Sequence, residues 1–168
     1  MTLEVTPNRE LGYRFLRTGL LTALVDGLFS SILSVAAYHS TVTRLFQAVA
    51  AVVIGREALS GGAATVALGV LMHFGVAFGW SAFFLFLVMR WSWVQRSVTT
   101  PLGVLMIALL YGPFVWLVMS LAVIPSFTHY APRIGPRWWV QLIGHIPFVG
   151  LPIVASSTAR TLFPWRGQ

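Results

Sequence analysis

Four long apolar runs constrain what this chain can fold into more than any other feature of its sequence. They cover about residues 16–38, 63–89, 102–124 and 138–159. An α-helix rises ~1.5 Å per residue, so about 20 residues are enough to cross the ~30 Å hydrocarbon core of a bilayer. The sequence therefore predicts an all-α membrane protein, a single transmembrane domain over residues 1–168 with four transmembrane helices.

Composition supports a lipid environment and excludes several other classes of protein. Hydrophobic residues make up 57% of the chain and charged residues 9%, and the mean hydropathy of +0.82 is far from that of a soluble domain. The net charge of +7 comes from Arg residues spread between the apolar runs, so no basic patch for nucleic acid is expected. With no Cys, the chain has no disulfide and no thiolate chemistry.

The segment of about residues 44–58, between the first two runs, predicts an interfacial or re-entrant amphipathic helix. Its apolar stretch of about ten residues is too short to cross a bilayer. Apolar side chains recur on one side at helical spacing: Leu45, Phe46, Val49, Val52 and Val53. Gly61 and Gly62 then predict the end of this segment.

The distribution of Arg residues predicts the orientation of the helices. With the N-terminus in the cytoplasm, seven Arg residues lie inside: Arg9, Arg14, Arg17, Arg90, Arg96, Arg160 and Arg166. Four lie outside: Arg44, Arg56, Arg133 and Arg137. Because positive charge favours the cytoplasmic side, both termini are expected in the cytoplasm. The first run is expected to be retained and not cleaved as a signal peptide, because it is long and contains Asp26.

Asp26 and His73 form the candidate mid-membrane polar pair. Each lies about ten residues into an apolar run, and the two runs are antiparallel, so the residues are expected ~15 Å from opposite faces, which in a ~30 Å core is the same mid-membrane level. A charge at that depth costs at least about 2.5–3.5 kcal/mol unless it is paired or hydrated. We therefore expect the two side chains to approach each other, either as a protonatable relay or as a buried hydrogen bond that fixes helix register.

Three further residues are candidate ligand or pathway residues. Ser30 continues a polar stripe from Asp26 at four-residue spacing. His145 stands near the start of the fourth run, where Pro147 and Pro152 interrupt the backbone hydrogen bonds. Tyr111 precedes Gly-Pro, a pair that predicts a kink in the third run.

Other chemistry finds little support in the sequence. A heme or metal site would use neutral imidazoles from two helices, but regular His pairing and acidic ligands are lacking. No catalytic residue is predicted, because Walker, HExxH and nucleophile-elbow motifs are missing from the sequence. No cofactor or metal is therefore predicted, and heme is kept as an alternative.

Short motifs in three of the runs carry a resemblance to a known group of proteins. LMHFGVAFGWSAFFLF, LLYGPFVWLVMSLAVIP and GHIPFVGLPIV resemble small bacterial inner-membrane proteins, distantly the YagU-like group, over about residues 45–160. The most specific elements are His73 and the Gly144-His145 pair. The resemblance implies a four-helix fold in a bacterial inner membrane, without an established reaction or ligand.

Three functional hypotheses follow. The first is a multi-pass inner-membrane protein without enzymatic activity, acting as an accessory subunit of a larger membrane assembly or as a membrane-integral factor. The second is a small proton-linked transporter or channel that uses Asp26 and His73, expected as a homodimer because four helices enclose little volume. The third is a heme-binding redox subunit. The expected partners are the lipid bilayer, other membrane subunits or a second copy, and not nucleic acid.

Overall fold

The structure, a computed structural model, is helical throughout and describes residues 7–162, with side chains from residue 9 to residue 158. Helix accounts for 89% of it, and the described residues contain no β-strand. Eight α-helices follow one another: α1 (Pro7–Ile32), α2 (Val42–Ile54), α3 (Gly62–Arg90), α4 (Ser92–Ser97), α5 (Pro101–Val118), α6 (Ile124–Thr128), α7 (Pro136–His145) and α8 (Leu151–Leu162).

Continuous helix makes four spans that are each long and apolar enough to cross a membrane. They are span 1 (Arg9–Ala37), span 2 (Gly62–Arg90), span 3 (Pro101–Thr128) and span 4 (Pro136–Thr158). Their 23 to 29 residues correspond to roughly 35–44 Å of helix. The described part of the chain thus has the four-span architecture that the apolar runs predict.

Local interactions explain why the helices extend beyond the apolar runs. The first helix starts at Pro7, nine residues before the predicted run, and Glu10 pairs with Arg14 one turn later at 2.7 Å. Span 3 begins at Pro101, because the side chain of Thr100 accepts a hydrogen bond from the Gly103 amide at 3.1 Å. Neither the Glu10–Arg14 ion pair nor the Thr100 cap depends on hydrophobicity, so the apolar runs do not include them.

In the described part of the chain, π-helical turns interrupt spans 1, 3 and 4. They cover Leu33–Ala37, Met119–Val123 and Ile146–Gly150. The last contains Pro147, which has no N–H to donate to the preceding turn. Such turns widen a helix and reorient the side chains beside them, and they are frequent at functional sites.

The spans pack antiparallel to their neighbours, and span 4 is the most buried of the four. Its α8 contacts spans 1, 2 and 3. Spans 3 and 4 cross closely at Gly112, where a Cβ would overlap the backbone carbonyl of His145. A glycine at this position therefore sets the distance between the two backbones.

The hydrophobic core lies between spans 2, 3 and 4, towards the end of the bundle where α4 joins spans 2 and 3, which we term the α4 end. Phe84, Ile153 and Val154 are almost fully buried there. In contrast, large apolar side chains cover the outside of the bundle, and Leu71 and Leu110 are 70% and 67% exposed. This surface suits lipid as the surrounding solvent.

Helix α2 lies at the opposite end, which we term the α2 end, where span 1 ends and span 2 begins. It stops at Gly55, whose φ of +81° favours glycine, so it is shorter than the predicted segment of residues 44–58. Its apolar side is divided between two environments: Val49 and Val52 line an internal cavity, whereas Val53 is 54% exposed. At 13 residues, or about 20 Å, α2 is too short to cross a bilayer.

Candidate functional site

A cavity of about 220 Å³ lies inside the bundle and is bordered by all four spans and by α2. Its polar lining consists of Thr22, Asp26, Ser30, His73, Gln141 and His145. Most of the remaining wall is aliphatic, with the rings of Trp80 and Trp116 added. The cavity therefore combines an apolar enclosure with a few converging polar groups, as ligand sites commonly do.

Asp26 and His73 face each other at the same depth in the bundle. Asp26 stands 11 residues before the end of span 1 at Ala37, and His73 stands 11 residues after the start of span 2 at Gly62. Both are therefore about 17 Å from the α2 end. The His73 Nδ1 and the Asp26 Oδ2 atoms are 3.9 Å apart, and the two side chains are only 15% and 17% exposed.

The tautomer of His73 follows from its second nitrogen. Nε2 lies 2.9 Å from the carbonyl oxygen of Ala23, and a carbonyl only accepts, so Nε2 carries a proton. In the neutral ring, Nδ1 therefore presents a lone pair towards Asp26. The 3.9 Å separation exceeds a direct hydrogen bond, so proton exchange between these atoms would require a small side-chain movement or a bridging water molecule.

Small residues on span 1 allow His73 to approach the first helix. Ala23 is 1% exposed, and a Cβ on Gly27 would lie only 3.1 Å from the His73 Nε2 atom. The next small position along this stripe, Gly19, contacts the ring of Phe78. The stripe thus positions His73 over the Ala23 carbonyl.

His145 is the third titratable group of the cavity. It ends α7, directly before the π-helical turn at Ile146–Gly150. Its Nδ1 donates to the carbonyl oxygen of Gln141 at 2.7 Å, which leaves the lone pair of the neutral ring on Nε2. Its ring packs on that of Trp116 with the centroids 4.9 Å apart.

Electrostatic interaction links Asp26 to both histidines. Among the residues that the structure describes, Asp26 is the only acidic residue in the interior of a span, and no described arginine lines the cavity. The positive charge that balances this carboxylate inside the bundle must therefore come from a proton, from an imidazolium or from a ligand.

Three buried polar atoms of the cavity lack a hydrogen-bond partner: Thr22 Oγ1, Asp26 Oδ1 and Trp116 Nε1. Buried polar atoms in folded proteins are nearly always paired, because an unpaired one costs about 1–3 kcal/mol. Their position around one cavity indicates that water or a ligand supplies the missing partners. A polar contact that only fixed helix register would satisfy these atoms within the protein.

The other residues singled out in the sequence lie in different surroundings. Ser30 lines the cavity beside Asp26. Tyr111 does not: it is 5% exposed in the hydrophobic core, and its hydroxyl donates to the Trp80 carbonyl oxygen at 2.7 Å. Tyr111 thus connects spans 2 and 3 next to the cavity without facing it.

His39 and His129 are exposed at helix ends, each with a positive φ, and they do not join His145. Within the described residues, no group of three or more His, Asp or Glu side chains could hold a metal ion. At the α2 end, Arg137 covers the ring of Tyr38 at 4.3 Å. Burial raises the pKa of Tyr38, and the guanidinium opposes that rise.

Sequence reasoning missed one polar member of the cavity, Gln141. It stands four residues before His145 on α7, so the i, i+4 spacing was a signal that could have identified it. The lone Trp116 Nε1–H had no such signal, because its environment depends on the tertiary packing of span 3 against span 4.

No protein-family model, curated protein or solved structure matches this chain. The resemblance to small bacterial inner-membrane proteins therefore stays a prediction from the sequence.

Proposed function

We propose that this chain is a multi-pass membrane protein without enzymatic activity that carries protons through the cavity around Asp26, where a small solute also binds. The observation that supports this most is the group of three unpartnered buried polar atoms around a cavity that also contains the Asp26 carboxylate and two imidazoles. Carboxyl and imidazole groups both accept and release protons.

Each side chain has a distinct part in this mechanism. The Asp26 carboxylate holds the transferable proton on Oδ1 or Oδ2. His73 accepts it at Nδ1, because its Nε2–H is held by the Ala23 carbonyl. His145 offers a second acceptor at Nε2, on the side of the cavity formed by span 4. Ser30 and Thr22 extend the polar path along span 1 in both directions from Asp26.

Proton uptake into proteoliposomes tests this function. A potassium gradient with valinomycin supplies the membrane potential, and a pH-sensitive dye inside the vesicles reports the protons that enter. Asp26→Asn should reduce the uptake to the level of empty vesicles, because the amide cannot hold the transferable proton. Glu57→Gln is the matched control, since it makes the same chemical change at an exposed position outside the four spans. Uptake by Asp26→Asn equal to that of the unsubstituted protein rejects the proposal.

We also propose a location in a bacterial inner membrane with both termini in the cytoplasm. The support is the count of arginines in the sequence, seven on the side of both termini against four on the side of α2, because positive charge favours the cytoplasmic side. Since the chain has no Cys, single cysteines report the orientation cleanly. Ser60→Cys should react with an impermeant maleimide outside the cell, and Ser92→Cys only after permeabilisation; the reverse pattern would invert the topology.

A further inference from the structure

We propose that the solute bound at Asp26 is a small organic ammonium ion that carries an apolar group and a hydrogen-bond acceptor. This inference rests on the proposed function and names the chemical class that the cavity selects. Three properties of the cavity lead to it: the unpartnered atoms, the charge balance and the apolar walls.

The unpartnered atoms define the hydrogen bonds that the solute has to make. The Asp26 Oδ1 atom is an acceptor when the carboxylate is ionised, and the Thr22 Oγ1 atom accepts as well. These residues are four apart on one face of α1, so a single ammonium group reaches both. Trp116 Nε1 is a donor only, and it requires an acceptor on the solute, such as a hydroxyl or carbonyl oxygen.

Charge balance favours a cation over an anion. Within the part of the chain whose side chains are described, Asp26 is the only acidic residue that lines the cavity, and no arginine lines it to attract a carboxylate or a phosphate. An anion next to ionised Asp26 would be repelled in a region of low dielectric, whereas a cation would supply the missing positive charge.

The walls determine the shape of the rest of the solute. Aliphatic side chains such as Val76, Met119 and Ile153 surround the polar groups, and Trp80 and Trp116 add aromatic surface. The volume of about 220 Å³ exceeds the ~150 Å³ cavity that takes up benzene in another protein. One aromatic ring with a short amine chain therefore fits, and it gains cation–π contact with the tryptophans.

The solute and the proton compete for the same carboxylate. When the ammonium binds, the proton held by Asp26 leaves to bulk water, so the total charge of the site is unchanged. The titratable groups that face Asp26 are His73 on α3 and His145 on α7, whereas α2 contributes Val49 and Val52 and span 3 contributes no titratable side chain to the lining. The affinity for the ammonium ion is therefore expected to fall as the pH falls. Because one proton is displaced, the affinity decreases by at most about tenfold for each pH unit.

Calorimetric titration of the whole protein in lipid nanodiscs tests the inference with three matched probes. These are 2-amino-1-phenylethanol, the neutral 1-phenyl-1,2-ethanediol, and mandelate as the anion; empty nanodiscs give the background of lipid partitioning. We expect the amine to bind at least about tenfold more tightly than the diol, since hydrogen bonds to a charged group are the stronger ones. Mandelate should not bind.

The probe comparison uses the unsubstituted protein, so it does not depend on whether a variant folds. Equal binding of amine and diol, tighter binding of mandelate, or no binding of the amine would each overturn the ammonium assignment. Asp26→Asn should also remove the preference for the amine, and Glu57→Gln should keep it. Proton uptake that depends on Asp26 without amine binding would reject the solute class and leave the proposed function standing; loss of both would reject the two together.

Discussion

Gly27 is the residue that lets His73 reach the first helix at the depth of Asp26. A methyl group there would lie 3.1 Å from the Nε2 atom and 3.7 Å from the Cδ2 atom of the imidazole. The 3.7 Å distance is an ordinary van der Waals contact, but the 3.1 Å distance requires the ring to shift by a few tenths of an ångström. The hydrogen bond from His73 to the Ala23 carbonyl, which fixes the tautomer, is the first interaction that such a movement weakens.

Gly27→Ala is therefore expected to have a free energy of unfolding about 1 kcal/mol lower than that of Gly75→Ala, because both variants gain the helix propensity of alanine and only Gly27→Ala weakens the hydrogen bond of His73. It should also slow proton uptake, because Nδ1 of His73 loses its defined position opposite Asp26. Thermal unfolding in detergent and the ¹⁵N spectrum of the imidazole measure the two effects. Gly75→Ala is the matched control. Gly75 lies on α3, the helix of His73, and a Cβ at this position has no other atom within 4 Å. Equal stability and an unchanged His73 tautomer in Gly27→Ala would contradict this account.

The sequence predicts part of this site for a simple reason. In two antiparallel helices of known start and end, equal distance from the shared end places residues at one depth, and Asp26 and His73 satisfy that condition. The pairing of Nε2 with Ala23, the exclusion of Tyr111 and the free Nε1–H of Trp116 depend on side-chain rotation and tertiary packing. Helical periodicity contains no information about these three side-chain environments.

Among the elements, the π-helical turn at Ile146–Gly150 is the one that positions His145. Gly112 of α5 packs directly against the backbone of His145, and Gly150 packs against that of Ala108. Two glycines, one from each helix, thus allow the closest backbone approach between spans 3 and 4. His145 therefore lines the cavity at the point where spans 3 and 4 cross.

Gly112→Ala should therefore destabilise the protein by about 1–3 kcal/mol, because the added methyl group would overlap a backbone carbonyl that cannot rotate away. It should also displace His145 from Trp116, which shifts the tryptophan fluorescence. Gly79→Ala serves as the comparison, as a Cβ there meets no atom within 4 Å. The account of the crossing is wrong if both variants unfold at the same temperature.

Element boundaries were predictable where hydrophobicity determines them, and less so where the backbone conformation of one residue does. The short helix α2 ends at Gly55 because of the positive φ of that residue, six residues before Gly61, the first residue of the pair that predicts the end. Its apolar side splits between Val53 at the surface and Val49 at the cavity. Hydrophobicity alone does not distinguish a side chain that faces lipid from one that faces an apolar cavity.

At the scale of the whole molecule, the four spans are read directly from the sequence, whereas their arrangement is not. A helix that is apolar on all sides gives no indication of which face is buried. Burial of span 4 against the other three spans is therefore visible only in the structure, as is the cavity that this packing leaves between them. That cavity makes the bundle a candidate carrier.

The central claim is that Asp26 binds and releases a proton inside this bundle, and infrared difference spectroscopy in lipid bilayers tests it most directly. The carbonyl stretch of a protonated carboxyl group separates from the bands of a carboxylate. We predict that one such band weakens as the pH is raised, shifts in D₂O, persists in Glu57→Gln and is missing in Asp26→Asn, whereas the bands of the other glutamates remain in both variants. Identical pH-dependent carboxyl bands in the unsubstituted protein and in Asp26→Asn would contradict the account.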